Sequence, residues 1–247
     1  MGVPVIGCSC AVCRSTHPRN HRTRPSVVLS LPGGNLLVDT TPELRLQLLR
    51  ENVSVVHSIL YTHYHVDHLY GLDDARVFPK YLQAPLPIYC TDDVEVVIRN
   101  VFSYAFQREH ENLPLGILPR LEFRRIGQRE PFEVLGQRVV PIPLIHGRFP
   151  VLGFRFDDVA YCTDVNQIPE ASWPLLEGVR VLILDALRDG SPHPTHFNLE
   201  QALEVIRRVR PEQAYLTHMS HEMDYEKVTA KLPSGVALAH DGLRIEF

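Results

Sequence analysis

No apolar run in the 247 residues reaches the 18 or so that a membrane-crossing helix requires. The first eight residues also lack the basic and long apolar regions of a secretory leader, so a cytoplasmic protein with no membrane partner is expected. Positive charge is not in excess. Lys and Arg number 25 against 29 Asp and Glu, a formal charge of -4, which leaves no global basic field to hold an extended nucleic acid and favours a small substrate. Cysteine is scarce and odd in number, at five. Three of these crowd into Cys8, Cys10 and Cys13, too close together for an ordinary disulfide framework, whereas Cys90 and Cys162 lie in strand-like runs as buried thiols. There is no low-complexity tract or internal repeat, and the 20 prolines are dispersed. What is present is ordinary globular material, 45% hydrophobic and 22% charged. A single domain over 1–247 is expected, with 1–25 as its cysteine-bearing segment.

Short apolar runs at 27–31 and 36–39 flank Pro32-Gly33-Gly34-Asn35 and predict a hairpin. Thr40, Thr41, Pro42 and Glu43 then supply the start of a helix running to about Arg50. A strand over 55–61 leads into a histidine cluster. Asp92 can cap a helix through about Ala105, and 132–144 predicts two strands about Gly136-Gln137. The runs 151–156 and 159–162 pair across Asp157-Asp158, and 181–184 is a continuous apolar run typical of a buried strand. Helical spacing over 198–209, a strand at 214–217, a helix near 225–232 and a strand pair around Asp241-Gly242 complete the pattern. Two mixed sheets packed face to face with helices outside follow, an α/β arrangement that some schemes class as α+β.

The strongest chemical signal is Thr62-His63-Tyr64-His65-Val66-Asp67-His68, directly after an apolar strand. If strand geometry persists, His63 and His65 point to one side and grip one ion, while Asp67 and His68 reach a second. Two such ions, roughly 3.5–4 Å apart, activate a water and clamp the attacking and leaving oxygens of a hydrolysis. A merely solvated, histidine-rich loop is the bland alternative. The second signal is Cys8-Ser9-Cys10-Ala11-Val12-Cys13, which can place three thiolates on a structural zinc that lacks only a fourth ligand. His221 is the candidate, with His17 and His21 as competitors nearer in sequence. Three reduced surface thiols are the alternative.

The run His-x-His-x-Asp-His resembles the metallo-β-lactamase superfamily, which implies an αββα sandwich and further ligands in a set order downstream. His146, Asp164 and His218 each follow a strand-like run in that order. By resemblance His146 completes the first metal with His63 and His65, Asp164 bridges, and His218 completes the second with Asp67 and His68. Asp39 looks like the superfamily's aspartate that orients the histidine loop; a plain helix-entry residue is the competing reading. The cysteine run with Thr217 to His221, the Pro143-Leu144-Ile145-His146 and Thr163-Asp164 stretches, and Leu232-Pro233-Ser234-Gly235 narrow the resemblance. They are similar to the phosphoribosyl 1,2-cyclic phosphate phosphodiesterase branch (PhnP-like).

That branch implies a hydrolase acting on a small cyclic phosphodiester such as 5-phosphoribosyl 1,2-cyclic phosphate, and a homodimer. It implies two active-site divalent metals, zinc or manganese or iron, beside one structural zinc. Asp67 would orient or deprotonate the attacking water. His196 matches a family histidine that binds phosphate and protonates the leaving alkoxide, or is a helix-entry histidine. Arg148 would grip phosphate, or is simply exposed. Competing enzymes on the same scaffold are a ribonuclease Z-like or 2',3'-cyclic nucleotide phosphodiesterase and a thioesterase or lactonase. From another class comes a metal-binding accessory protein of cofactor biosynthesis (PqqB-like).

Overall fold

The computed structural model describes residues 2–107 and 113–246. Its residues fall into two compact units, Arg24–Arg138 and the pair of segments Met1–Thr23 and Val139–Phe247. Among the described residues no helix is long and apolar enough to cross a membrane.

The unit Arg24–Arg138 holds a five-stranded mixed sheet, in the order β1 (Val27–Leu31), β2 (Gly34–Val38), β3 (Ser58–Leu60), β4 (Leu86–Cys90), β5 (Leu121–Arg125). β1 and β2 form the expected antiparallel hairpin, with Leu31 opposite Gly34, and the remaining pairings are parallel. Leu37, Ile59, Leu86, Ile88, Val94 and Ile98 build its apolar core. Helix α1 (Leu44–Arg50) starts later than Thr40 and Thr41 suggested. The Thr40 hydroxyl donates instead to the carbonyl of Leu69 and meets the Tyr61 hydroxyl, so this threonine is committed to a tertiary contact rather than to a cap. Helix α2 (Val66–Leu69) continues into a 3-10 segment, Tyr70–Val77, and then α3 (Phe78–Leu82). Helix α4 (Asp92–Val101) follows Thr91, whose hydroxyl donates to the Asp93 carboxylate rather than capping a backbone N–H, and carries Asp92, Asp93 and Glu95 in its first turn, where acids favour the positive end of the helix dipole.

The second sheet is seven-stranded and mixed: β12 (Val236–Leu238), β11 (Gln213–Thr217), β10 (Val181–Asp185), β9 (Val159–Cys162), β8 (Phe149–Phe156), β7 (Gln137–His146), β6 (Phe132–Val134). β9 to β12 pair in parallel, and a strand flanked on both sides in a parallel array is a near-continuous apolar run, as Val181-Leu182-Ile183-Leu184 is. Leu182, Leu184, Ala202, Ala214 and Leu216 lie in one core with less than 1% exposure. Helix α5 (Leu199–Val209) opens with a capping box, the Asn198 side chain accepting from the Gln201 N–H and the Gln201 side chain accepting from the Asn198 N–H. Leu199, Ala202, Val205 and Ile206 are its buried stripe. Helix α6 (Tyr225–Thr229) follows.

The strand pair expected around Asp241-Gly242 is absent among the described residues; those two residues form a turn beyond β12. The Asp241 carboxylate accepts from the Thr23 N–H at 3.0 Å and hydroxyl at 2.7 Å, so a side chain supplies what a ladder would have. Cys90 on β4 and Cys162 on β9 are buried as expected, and burial pushes both thiols up to about 12.

Candidate metal centres

In the unit Arg24–Arg138, β3 ends at Leu60, so strand geometry does not persist through the histidine run. His65 is instead the extended N-cap of α2, which carries Asp67 in its first turn and His68 in its last. The three rings still gather: the His63 centroid lies 4.6 Å from that of His65 and 4.4 Å from that of His68. His63 and His68 are buried, and His65 and Asp67 are half-buried.

Asp39 stands behind them. It follows β2 in the left-handed region at φ 63°, a conformation costing a non-glycine residue roughly 1–2 kcal/mol and common where function fixes the backbone. Its carboxylate accepts from the Thr62 N–H at 2.9 Å, the Thr62 hydroxyl at 2.8 Å and His68 Nδ1 at 2.8 Å. A carboxylate oxygen in this role accepts, so His68 carries its proton on Nδ1 and keeps the Nε2 lone pair for a metal. The Thr62 hydroxyl has one hydrogen and gives it to Asp39. It must then accept from His63 Nδ1, 2.9 Å away, which fixes His63 in the same tautomer. One buried acid thereby sets two imidazoles. Backbone bonds hold it in register: Thr40 N–H to the His68 carbonyl at 2.7 Å, and Gly71 N–H to the Thr40 carbonyl at 3.0 Å. A Cβ on Gly71 would lie 1.9 Å from the Thr41 oxygen, so only glycine allows that approach.

In the other unit, His146 ends β7, Asp164 lies just beyond β9, and His218 follows β11. Asp164 and His218 both adopt positive φ, 53° and 57°. Asp164 addresses both histidines with different oxygens: Oδ2 is 3.8 Å from His146 Nε2, and Oδ1 is 3.2 Å from His218 Nε2. Two ligands bound about 2.0–2.2 Å from a common ion stand about that far apart, so one carboxylate is disposed to serve two ions. His146 Nδ1 lies 2.6 Å from the Thr195 carbonyl, which only accepts, leaving the Nε2 lone pair for a metal.

His196 lies among these groups, its ring stacked on His218 at 4.7 Å and edge-on to His146 at 4.6 Å. Its Nδ1 donates to Asp185 Oδ2 at 2.7 Å, and the same oxygen takes the Val165 N–H at 2.9 Å. Asp185 was not singled out from sequence; a lone acid ending an apolar strand was its only signal. His193, three residues before His196, accepts the Thr195 N–H on Nδ1 at 3.3 Å. Its pKa is lowered by burial and by the neighbouring His196 and Arg188. Arg148 is exposed on the turn between β7 and β8.

The cysteine run forms a separate centre in this unit. Ligand atoms of Cys8, Cys10, Cys13 and His221 all lie within 4.8 Å of one another. His221 Nδ1 is 3.2 Å from Cys8 Sγ and 3.4 Å from Cys10 Sγ, close to the edges of a tetrahedron around a zinc with bonds of about 2.0–2.3 Å. The Cys13 N–H first, and then hydrogen bonds with His221, Cys8 and Cys13, bring the Cys10 thiol down to about 6, a direction that favours the metal-binding thiolate. Burial raises Cys13. The two competitors lie elsewhere: His17 takes the Arg19 N–H and stacks on Tyr225, and His21 bonds the Ser15 carbonyl at 2.8 Å. The His/Asp and Cys/His donor sets fit divalent metals.

Comparison with known proteins agrees. A family model described as the beta-lactamase superfamily domain matches residues 34–219. A solved structure described as a new diphosphatase from the PhnP family is 41% identical, covering 100% of this chain and 93% of that one, with a TM-score of 0.91. The octanoyltransferase of Porphyromonas gingivalis is 32% identical over 98% of this chain, but the chain spans only 48% of that protein's length. The Zn²⁺-bound PqqB from Methylobacterium extorquens shares the fold at 20% identity, with a TM-score of 0.75 over 100% of this chain and 96% of that one. The chain belongs to the metallo-β-lactamase superfamily and, within it, to the PhnP family.

Proposed function

We propose that this metal-dependent hydrolase is a phosphodiesterase acting on a small cyclic phosphodiester such as 5-phosphoribosyl 1,2-cyclic phosphate. The observation that carries the reading is Asp164, whose two oxygens face His146 and His218 separately. The ligand set is His63, His65, Asp67 and His68 with His146, Asp164 and His218, and the 1–247 chain acts as one functional domain. The family match from 34 to 219 runs through both units and supports that. Cys8, Cys10, Cys13 and His221 would hold a structural zinc, four protein ligands being enough to leave no position for water.

When bound, the two active-site ions supply an activated water and offset charge on the phosphoryl oxygens. The chain's own residues supply orientation and protons. Asp67 orients the attacking water. His196, held on Nδ1 by Asp185, is set to deliver a proton from Nε2 to the departing alkoxide, and Asp185 stabilises the imidazolium it starts from. Arg148 is exposed where it can grip the phosphate.

A second reading, hydrolysis of a diphosphate, is favoured by the 41% identical relative described as a diphosphatase. A substrate panel on the zinc- or manganese-replete chain separates them. It should comprise 5-phosphoribosyl 1,2-cyclic phosphate, 2',3'-cyclic nucleotides, a nucleoside diphosphate ester and a thioester. The cyclic ribose phosphate is expected to give the highest kcat/KM. Preference for the diphosphate or the thioester would replace this substrate class, and absence of any hydrolysis by a metal-replete chain would leave an accessory metal-binding protein. We further propose a cytoplasmic protein acting as a homodimer, without membrane or extended nucleic-acid partners, which sedimentation of the purified chain tests for its oligomeric part.

A further inference from the structure

Arg22 is a buried cation, 6% exposed, in the segment that carries Cys8, Cys10 and Cys13 but with no role assigned above. Its guanidinium donates to four neutral oxygens: the carbonyls of Arg19 at 3.1 Å, Ser220 at 3.0 Å and Met223, and Asn20 Oδ1 at 3.0 Å. Asp224 and Asp241 lie in its field, offsetting the burial that lowers its pKa. A cation desolvated on neutral carbonyls costs more than an apolar side chain of similar size, so stability alone is a poor reason for it.

The position of those carbonyls is informative. Ser220 and Met223 belong to the loop after β11, in which His218 sits at positive φ and His221 reaches the cysteines. From Ser220 a chain of backbone bonds runs inward: Ser220 N–H to Leu187 O at 2.8 Å, Leu187 N–H to Phe197 O at 2.9 Å, Phe197 N–H to Val165 O at 2.8 Å. Each of the last two acceptors adjoins a site residue, His196 or Asp164. The bond pair between Val3 and Arg22, 2.9 and 2.8 Å, fixes the other side of the clamp to the N-terminal segment.

We propose that Arg22 is a positioning residue that sets His218 for metal binding by holding the Ser220 and Met223 carbonyls in one fork. The proposal rests on the metal-ligand role of His218 given above. A guanidinium spans two carbonyls with preset geometry, whereas an ammonium is a point donor, so lysine keeps the charge and loses the fork.

The test is Mn²⁺ affinity of the full chain, measured by calorimetric titration after chelation of loosely held metal, in wild type, Arg22→Lys and Arg22→Ala. A partner bonded directly to a metal ligand is worth about 10- to 100-fold in metal affinity; Arg22 acts on the backbone two residues from His218, and we expect about tenfold loss in both variants. Added guanidinium ion should recover part of the loss in Arg22→Ala but not in Arg22→Lys, whose side chain fills the slot. If Arg22→Ala does not fold, Arg22→Lys carries the comparison. Wild-type Mn²⁺ affinity in folded Arg22→Lys, whatever its melting temperature, would overturn the proposal. A wild-type chain that binds no Mn²⁺ would overturn it together with the ligand assignment. Arg22-dependent Mn²⁺ binding without phosphoester hydrolysis would leave this inference standing and remove only the phosphodiesterase reading.

Discussion

Asp39 and Asp185 are the same device used twice. Each is a fully buried acid at the end of a sheet strand, β2 or β10, accepting a backbone N–H at 2.9 Å and a histidine Nδ1 at 2.8 or 2.7 Å. They differ in what they hold. Asp39 fixes His68 directly and His63 through the Thr62 hydroxyl, and the His68 side chain has 0% exposure. Asp185 fixes His196, whose side chain keeps 10% exposure. Under the proposed function the same carboxylate–imidazole pair would serve metal binding in one place and proton transfer in the other.

The comparison breaks first at the ligands themselves. His65→Ala or Asp164→Ala should lower phosphodiesterase turnover by at least about a thousandfold, measured with metal content verified, since activation of water depends on both ions. Wild-type-like turnover in either would end the dimetal reading. Behind the ligands, Asp39→Ala should weaken active-site metal binding by about 10- to 100-fold because it frees two tautomers at once. Thr62→Val, which breaks only the relay to His63, should weaken it less, and a titration showing the reverse order would refute the relay.

On the other side, His196→Ala should lose roughly a hundredfold on a substrate with a poor alkoxide leaving group and much less on bis-p-nitrophenyl phosphate. Equal losses on both would remove His196 from proton donation. The smallest effect on chemistry belongs to the cysteine centre. Cys10→Ser should lower the melting temperature and remove about one zinc per chain, with turnover of the folded fraction only moderately reduced. Unchanged zinc by elemental analysis would refute that site.

The two dense runs were legible because part of each cluster shares a short stretch of chain, whereas His146, Asp164, His218 and His221 come from far along it. Three histidines and an aspartate within six residues, and three cysteines within six, announce metal from spacing alone, and β1, β2, β10 and α5 follow from apolar period and turn residues. The outer partners were less legible. One of them, the Thr195 carbonyl behind His146, is backbone, and a carbonyl has no sequence signature. Asp185 resembles any acid that ends an apolar strand, and Thr40 resembles a helix cap until the Leu69 carbonyl claims it. β5 (LEFRR) went unmarked because an edge strand tolerates exposed charge, which hides its alternation.

The central claim is that the two buried acids divide binding from proton transfer, and one paired measurement tests it most directly. Turnover of Asp39→Asn and Asp185→Asn is followed against Mn²⁺ concentration on a good and a poor leaving group. The account predicts that Asp39→Asn needs about tenfold or more extra metal for half-maximal rate, with the leaving-group ratio unchanged. Asp185→Asn should keep the wild-type metal requirement and lose rate selectively on the poor leaving group. A shifted metal requirement with no leaving-group selectivity in Asp185→Asn would contradict it.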